Sequence, residues 1–311
     1  MINFRFHIAS LIAVFLALAV GVVMGSTVID RAIVDGLRDR INTAEKNSNQ
    51  VRSDNAKLKT QIDQLNNYSD QTAQWAVEAQ LTDQPVAIVA ERGVDEDTVK
   101  AQAALLREAG GVVSGILWLE NPWNLGGDGK SADALRTALA SNTRADRALR
   151  AEAITALSKR LTQGAAVAGQ PDVLDSLAKA GFVTLEGLGS GDVSALTYPG
   201  AGARALVVGG PESSITASGF TLELTRALAT SRALTAVGEI DPDATNRGVW
   251  LAPIRNDDQL KRQVSTIDDV DVVQGRVAST LALAVLARGV VGAYGTGAGA
   301  QSTVPAIPAP R

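Results

Sequence analysis

The chain has 311 residues, of which 46% are hydrophobic and only 4% aromatic, and its net charge is −4. This composition supports a core of aliphatic side chains, and the missing basic surplus argues against nucleic acid as a partner. Cysteine is absent, the one histidine is His7, and the methionines are Met1 and Met24. Beyond residue 24 this excludes disulfides, soft metal ligands and histidine-dependent catalysis, so we expect no enzymatic activity and no cofactor.

The first predicted element is a transmembrane helix at residues 8–29, a stretch without charged side chains. About 22 helical residues rise roughly 33 Å, which is enough to cross the hydrocarbon core of a lipid bilayer. A buried core helix or a cleaved signal peptide are the alternatives. The apolar run continues without a small-x-small cleavage pattern, which favours an uncleaved signal anchor. Ala17, Gly21 and Gly25 recur at four-residue spacing and predict a face on which two spans pack.

The orientation of the span is weakly encoded. Basic residues lie on both sides of it, and acidic residues are interleaved with those that follow. The positive-inside rule therefore does not decide the topology. Because the leader is short, we interpret residues 1–7 as a cytoplasmic tail. This places the remainder of the chain outside the cytoplasm, in a single-pass protein of the plasma membrane.

Residues 30–80 carry the heptad repeat of a parallel coiled-coil stalk. With Ile41 at position a, the d positions are mostly apolar, and the a positions alternate between isoleucine and polar residues. Asn55 occupies an a position, where asparagine fixes the register of two-stranded coils. The predicted dimer seam consists of Leu37, Ile41, Ala44, Val51, Asn55, Leu58, Ile62 and Leu65.

The charges beside the seam support pairing of two copies. In a parallel dimer, each g position faces the next e position of the other chain. This rule pairs Arg40 with the partner's Glu45 and Asp54 with the partner's Lys59, both of opposite charge. The alternative is a single amphipathic helix folded against the domain. The matched charges favour a parallel homodimer.

Residues 83–290 alternate between short apolar strands and helical patterns. The predicted strands are 86–89, 112–119, 182–185, 205–208, 234–238 and 249–253. The first predicted helix opens at residues 95–97 and closes at residues 110–111. Further helices are predicted at 132–140, 145–161, 172–180, 221–230, 257–264 and 275–288. This alternation predicts an α/β domain with a mostly parallel sheet and helices on both faces. Residues 291–311 are rich in Gly, Ala and Pro, so we expect a largely disordered tail.

Three motifs in the domain are candidates for chemistry. Residues 125–131 end in Gly-Lys-Ser, but Asn124 stands where a phosphate-binding loop requires glycine, which favours a surface loop. The Gly-rich turns at 187–191 and 208–211 lie near strand ends, where open α/β sheets bind ligands, although tight turns alone would explain them.

The third motif is an acidic cluster formed by Asp268, Asp269 and Asp271. Carboxylate oxygens are the ligands that hard cations such as calcium and magnesium prefer. The same side chains could instead cap the helix that follows or lie in a loop. The cluster is therefore a weak candidate for a metal site, and both interpretations stay open.

Four stretches of the sequence resemble one family. Residues 6–26, 264–271, 275–277 and 294–300 are similar to the actinobacterial MctB-like copper transporters, as is the order of anchor, coil and domain. The resemblance implies a role in copper efflux or homeostasis, with an outer-membrane pore proposed for the family. It implies no established catalytic residues, and copper enters only through the family name.

A corynebacterial branch of the family, SteB, is associated instead with cell-envelope assembly and division. The resemblance to it implies a membrane partner, SteA in that branch, and a link to a peptidoglycan hydrolase. One span per chain cannot enclose a pore unless many chains assemble, and the strand pattern is unlike that of an outer-membrane barrel. Two hypotheses therefore remain: a copper-homeostasis protein, and a dimeric scaffold or regulator of the cell envelope.

Overall fold

The computed structural model describes residues 4–126, 129–164, 171–188, 198–199, 201–217, 219–243 and 245–306. The chain forms two compact units, Met1–Asn66 and Asn67–Arg311. The division falls inside the segment that the heptad pattern assigns to the stalk.

The first unit consists of the larger part of helix α1, which runs from Phe4 to Val77. Phe4–Gly25 has a mean hydropathy of 2.6 and none of it is buried within the protein. By its length of 22 residues and its composition, this stretch can cross a membrane. It begins about one helical turn before the predicted span and confirms an N-terminal apolar helix.

The predicted seam lies on the same helix. Its large apolar side chains, from Leu37 to Leu65, are 51% to 61% exposed in the single chain. Ala44 and Asn55 are exposed as well. The helical conformation is confirmed, and the pairing of two such helices stays a prediction.

The second unit is built on a sheet that has seven strands within the described residues, in the order β3-β2-β1-β4-β5-β6-β7. Neighbouring strands are parallel except for the antiparallel pair β2 and β3. The mostly parallel sheet is therefore confirmed. The strands are β1 (Val86–Glu91), β2 (Gly115–Leu119), β3 (Val183–Gly187), β4 (Arg204–Gly209), β5 (Thr235–Glu239), β6 (Val264–Ile267) and β7 (Ala293–Tyr294).

Helices cover both faces because successive strand residues point to opposite sides. In β1, Ala87 and Val89 belong to one hydrophobic core and Ile88 and Ala90 to the other. The first core packs under α3 (Lys130–Leu139), α4 (Asp146–Gln163), α5 (Val173–Lys179), α6 (Phe220–Thr230) and α7 (Ala252–Arg255). The second packs under α2 (Glu96–Glu108), α8 (Val273–Leu286) and the end of α1.

The last turns of α1 belong to this second unit. Ala73 and Val77 are 6% and 0% exposed and join the second core. The Gln274 side-chain amide, on α8, donates a hydrogen bond of 2.9 Å to the Ser69 hydroxyl. The alternative of a helix folded against the domain therefore holds for this end of the predicted stalk.

Three predicted elements differ in the structure. The strand predicted at 249–253 is a turn followed by α7, whose first residues include Pro253, a residue suited to a helix start. The helix predicted at 257–264 is a single 3₁₀ turn at Leu260–Arg262, and Val264 begins β6. The tail predicted as disordered supplies β7, which pairs with β6 through Tyr294 and Ile267. A partner strand distant in sequence orders this Gly-rich segment, which has no periodic face of its own.

Candidate functional site

The carboxyl ends of the parallel strands form the first candidate site. The chain passes from β1 to β2 on one side, whereas β4 leads to β5, β6 and β7 on the other. The ends of β1 and β4 therefore flank the topological switch point, where open α/β sheets bind ligands. Glu91 ends β1, Gly209 ends β4, Glu239 ends β5 and Asp268 follows β6. Three acidic side chains thus lie in a row at the carboxyl ends of the strands.

Glu91 lies beneath an aromatic side chain. It is 1% exposed, and the Thr221 hydroxyl donates a hydrogen bond of 2.5 Å to its carboxylate. Burial raises the pKa of Glu91 to about 7. A Cβ on Gly209 would lie 2.6 Å from the Trp250 ring and 2.8 Å from Oε2 of Glu91. Glycine is therefore required at 209 for the Trp250 ring and the Glu91 carboxylate to lie this close to the backbone of β4.

Glu239 holds the loop that carries Trp250. It is fully buried, and its carboxylate accepts hydrogen bonds from the backbone N–H groups of Gly248 at 2.6 Å and Trp250 at 3.3 Å. Burial raises the pKa of Glu239 to about 7. Beside it lies a cleft of about 560 Å³, lined among others by Pro211, Asp241 and Trp250. The lining of the cleft contains both acidic side chains, such as Asp241, and apolar ones, such as Trp250.

Asp268 closes the loop that follows β7. It is fully buried and forms an ion pair of 2.8 Å with the Arg255 guanidinium. Its Oδ1 accepts hydrogen bonds from the backbone N–H groups of Thr296 and Gly297, both at 2.8 Å. Gly295 has a φ of +120° and a Cβ there would clash with the Asp268 carboxylate. Two of the stretches that carry the family resemblance therefore meet at one carboxyl group.

The rest of the acidic cluster lies near the start of α8. The Arg247 guanidinium donates to the Asp271 carboxylate in an ion pair. Asp269 is 1% exposed and its Oδ1 accepts no hydrogen bond, and burial raises its pKa to about 6. A Cβ on Gly275 would clash with the Asp269 backbone carbonyl, so the third resembling stretch packs here as well.

The cation hypothesis gains no support from this geometry. Among the residues that the structure describes, no group of three or more His, Cys, Asp or Glu side chains is placed to hold a metal ion. Two of the three carboxylates are bound by arginines, as the preceding contacts show. The prediction that these aspartates cap the following helix is wrong, because the N-cap residue of α8 is Val272 and no side chain caps this helix.

The described residues in and beside the Gly-rich motifs at 125–131 and 208–211 form packing contacts and hydrogen bonds within the protein. Residues 127, 128 and 189–191 lie outside the described part of the chain. Asn124 accepts hydrogen bonds from the backbone N–H groups of Thr216 and Ala217, at 2.7 and 2.9 Å, and so fixes a neighbouring loop. A Cβ on Gly210 would clash with the Ile240 carbonyl, so the turn after β4 packs tightly against the end of β5.

The second candidate site is the bare surface of α1. Ala17 is exposed, and nothing lies within 4 Å of where a Cβ on Gly21 or Gly25 would stand. The seam residues are exposed in the same way. Small residues at such spacing allow close approach of helices in lipid, and apolar seams bind other helices in water. Packing of two helices through the small residues or through the seam stays a prediction.

Comparison with known proteins connects these features to a family. Residues 1–305 match the family model described as "Copper transport outer membrane protein, MctB". The chain belongs to the MctB family. The protein named copper transporter MctB in Mycobacterium tuberculosis (strain ATCC 25618 / H37Rv) is 28% identical over 97% of this chain and 98% of its own length. That of Mycobacterium leprae is 29% identical over 98% of this chain and 100% of its own length.

Sequence reasoning identified the MctB family but missed Glu91, Glu239 and Trp250. The two glutamates end apolar strands, in the stretches VAIVAE and TAVGE. An acidic residue directly after a buried strand is a signal that could have located them at the carboxyl edge. Trp250 gave no such signal, because its neighbourhood depends on the path of a long loop.

Proposed function

We propose that this MctB-family protein is a membrane-anchored parallel homodimer with its α/β unit outside the cytoplasm, and that it serves copper homeostasis without being an enzyme. The observation that carries the proposal is the bare apolar surface of α1. The span is unburied, and seam side chains such as Leu58 and Ile62 are 55% and 56% exposed. Lipid covers the first surface and a second copy of the chain covers the second.

A second copy of the chain is the favoured partner of the seam, because the apolar and charged positions of two such helices are complementary in a parallel pair. Burying a leucine or isoleucine side chain stabilises a complex by about 1.5–3 kcal/mol. Asn55 at an a position favours two parallel strands in one register. In that register, Arg40 faces the partner's Glu45 and Asp54 faces the partner's Lys59. These four side chains are exposed in the single chain.

The absence of catalysis is supported by how the carboxylates at the sheet edge are used. Asp268 is bound by Arg255 and by the loop after β7. Glu239 accepts two backbone N–H groups, and Glu91 accepts the Thr221 hydroxyl. Groups committed to holding loops are poorly placed to exchange protons with a substrate. We therefore assign this edge a structural role.

The link to copper comes from the relatives, which are named copper transporters. Beyond Met24 the chain contains no cysteine, histidine or methionine, the residues whose sulfur and imidazole atoms bind copper best. We propose that the chain affects copper through a protein complex that it anchors, and that its α/β unit does not carry the ion. A membrane or cell-envelope protein is the expected partner.

The same absence of copper ligands favours a second candidate function. A dimer with one anchor per chain and a folded α/β unit suits a scaffold that binds a membrane partner and regulates cell-envelope assembly and division. In this SteB-like role, the protein controls peptidoglycan remodelling, and copper sensitivity of cells lacking it follows from a damaged envelope.

A complementation experiment separates the two functions. Cells lacking the gene receive the wild-type chain or a chain with Leu58→Asp and Ile62→Asp, and copper tolerance and septum morphology are scored in both. Copper homeostasis through the dimer predicts that only the wild type restores copper tolerance, in cells whose division is normal throughout. Division defects that appear without added copper would favour the envelope scaffold. Restoration of all phenotypes by the substituted chain would overturn the dimer in both roles.

A further inference from the structure

Helix α1 leaves two large aromatic side chains uncovered on the second unit. Tyr68 is 67% exposed and Trp75 is 74% exposed. They are seven residues apart, which is two helical turns, so they lie on one face. The opposite face of the same turns is the one that Ala73 and Val77 bury in the core of the α/β unit. The aromatic pair therefore faces away from its own unit.

The heptad register places both aromatic residues beside the seam. Counted from Ile41 at position a, Tyr68 and Trp75 are g positions and Ala73 is an e position. The chain's own α/β unit thus covers the e side of α1 and leaves the g side open. In a parallel dimer, the g side of each helix faces the e side of the other. The open side of one chain therefore faces the side of its partner that carries the partner's α/β unit.

The rule that pairs g with the next e also gives the contact points. It directs Tyr68 toward the helical turn that carries the partner's Ala73, which the partner's own α/β unit buries. It directs Trp75 past the end of the partner's helix at Val77, toward the turn that contains Gln80. Gln80 lies in the turn that follows α1, and this turn is fixed to the end of α2. The backbone N–H of Leu81 donates to the Ala109 carbonyl at 2.9 Å, and that of Asp83 to the Gly110 carbonyl at 3.0 Å. The turn that Trp75 would contact is therefore held to the partner's α/β unit by backbone hydrogen bonds.

The charge around the aromatic pair argues against an anionic membrane as its occupant. Between Lys59 and Arg92 there is no lysine or arginine, while the segment contains Asp63, Asp70 and Glu78. Anionic lipid headgroups attract basic segments and repel acidic ones. Exposed aromatic side chains in an acidic helical segment fit another protein surface, for which Trp and Tyr are typical anchors.

We propose that Tyr68 and Trp75 of each protomer pack against the α/β unit of the partner, at the turn formed by residues 78–84. This contact rests on the proposed parallel dimer and adds to it that each α/β unit is held by both helices. Each helix then supports its own unit through Ala73 and Val77 and its partner's unit through the aromatic pair. The coil and the two α/β units form one assembly.

The absence of native cysteine allows a direct test by disulfide cross-linking of the full-length chain in membranes. Two singly substituted copies are co-expressed, one with Trp75→Cys and one with Gln80→Cys. A second pair, Asp54→Cys with Lys59→Cys, reports the coil register. As a matched control, Gln74→Cys replaces Trp75→Cys, because Gln74 is an exposed f position on the outer face of the helix. Cross-linking at both pairs, with loss of the product in the Gln74 control, is the expected result.

The outcomes distinguish the contact from the dimer. Cross-linking of Asp54→Cys with Lys59→Cys but not of Trp75→Cys with Gln80→Cys would overturn the aromatic contact and leave the dimer standing. Failure of both pairs would overturn the parallel dimer as well. Equal cross-linking of the Gln74 control and the Trp75 pair would show unspecific collision and would also overturn the contact.

Tryptophan fluorescence gives an independent reading without cysteine. Trp118 and Trp123 are fully buried and Trp250 is partly buried, whereas Trp75 is 74% exposed, so Trp75 is the tryptophan that acrylamide quenches most in the single chain. The difference between the wild type and Trp75→Phe isolates its emission. We expect a blue-shifted Trp75 that loses most of its quenching in the dimer and regains it in Leu58→Asp with Ile62→Asp. A fully quenched Trp75 in a protein that is dimeric by light scattering would contradict the contact.

Discussion

Replacing Leu58 and Ile62 by aspartate removes two seam side chains that the single chain leaves 55% and 56% exposed. Fully burying such a side chain contributes about 1.5–3 kcal/mol, so covering the exposed half contributes roughly 0.8–1.5 kcal/mol. Four such side chains in a dimer contribute about 3–6 kcal/mol. Each aspartate held in the seam costs several kcal/mol more through desolvation. The dissociation constant is therefore expected to rise at least roughly 100-fold, which corresponds to about 2.7 kcal/mol.

The fold of the α/β unit is expected to survive these substitutions, since both positions lie in the first unit. Light scattering on the full-length chain in detergent micelles measures the mass, and circular dichroism checks the fold. The matched control is Ser53→Asp with Thr60→Asp, which places the same charges at exposed f positions of the same helix. We expect a dimer for the wild type and the control and a monomer for the seam variant. A wild-type monomer, or a seam variant that stays dimeric, would refute the reasoning.

Further predictions concern the α/β unit, the topology and copper. Because burial raises the pKa values of Glu91 and Glu239 from 4.5 to about 7, both stabilise the fold fully below pH 4.5, and this contribution is lost as the pH rises through 7. Urea unfolding should show stability falling by up to about 1.4 kcal/mol per pH unit for each group, and Glu91→Gln should reduce that slope. Gly275→Ala should destabilise the unit by about 1–3 kcal/mol through overpacking in thermal unfolding, whereas Gly36→Ala, with nothing within 4 Å, should not. A reporter active only in the cytoplasm and fused after Thr82 should be silent, and activity there would reverse the topology. The purified chain should bind Cu(I) no more tightly than micromolar, about −8 kcal/mol, and a complex that survives a tight chelator would contradict this.

The features predicted correctly from the sequence are those with a local signal. The apolar span, the helical heptad and the alternation of strands such as Val86–Glu91 with amphipathic helices each show a period within a short window. Strands β6 and β7 were missed because they have four and two residues and depend on partners distant in the chain. No periodic signal marks them, and only the assembled sheet orders Ala293 and Tyr294.

The acidic residues at the carboxyl ends of the strands could be predicted from the sequence only in part. The acidic stretch ending at Asp271 was recognised, but its pairing with Arg255 and Arg247 depends on where a long loop returns. Glu91 and Glu239 lie on either side of Gly209 because β4 lies between β1 and β5, and the local sequence does not reveal the order of the strands. The same limit applies to the end of α1. The heptad pattern continues to residue 76, and it gives no sign that Ser69 and Ala73 also contact the chain's own α/β unit.

The most direct test of the parallel dimer is a distance measurement between two copies of the full-length chain in lipid nanodiscs. Single cysteines at Lys46, Ser53 or Thr60, all exposed f positions, are spin-labelled in a chain that has no other cysteine, and the inter-label distance is measured by pulsed electron paramagnetic resonance. A parallel coil predicts the same distance at all three positions, since its helices stay about 8–10 Å apart along their whole length. An antiparallel pair would change that distance by about 3 Å for every residue of displacement from the crossing point. Distances that differ between the three positions, or no dipolar coupling at any of them, would contradict the account.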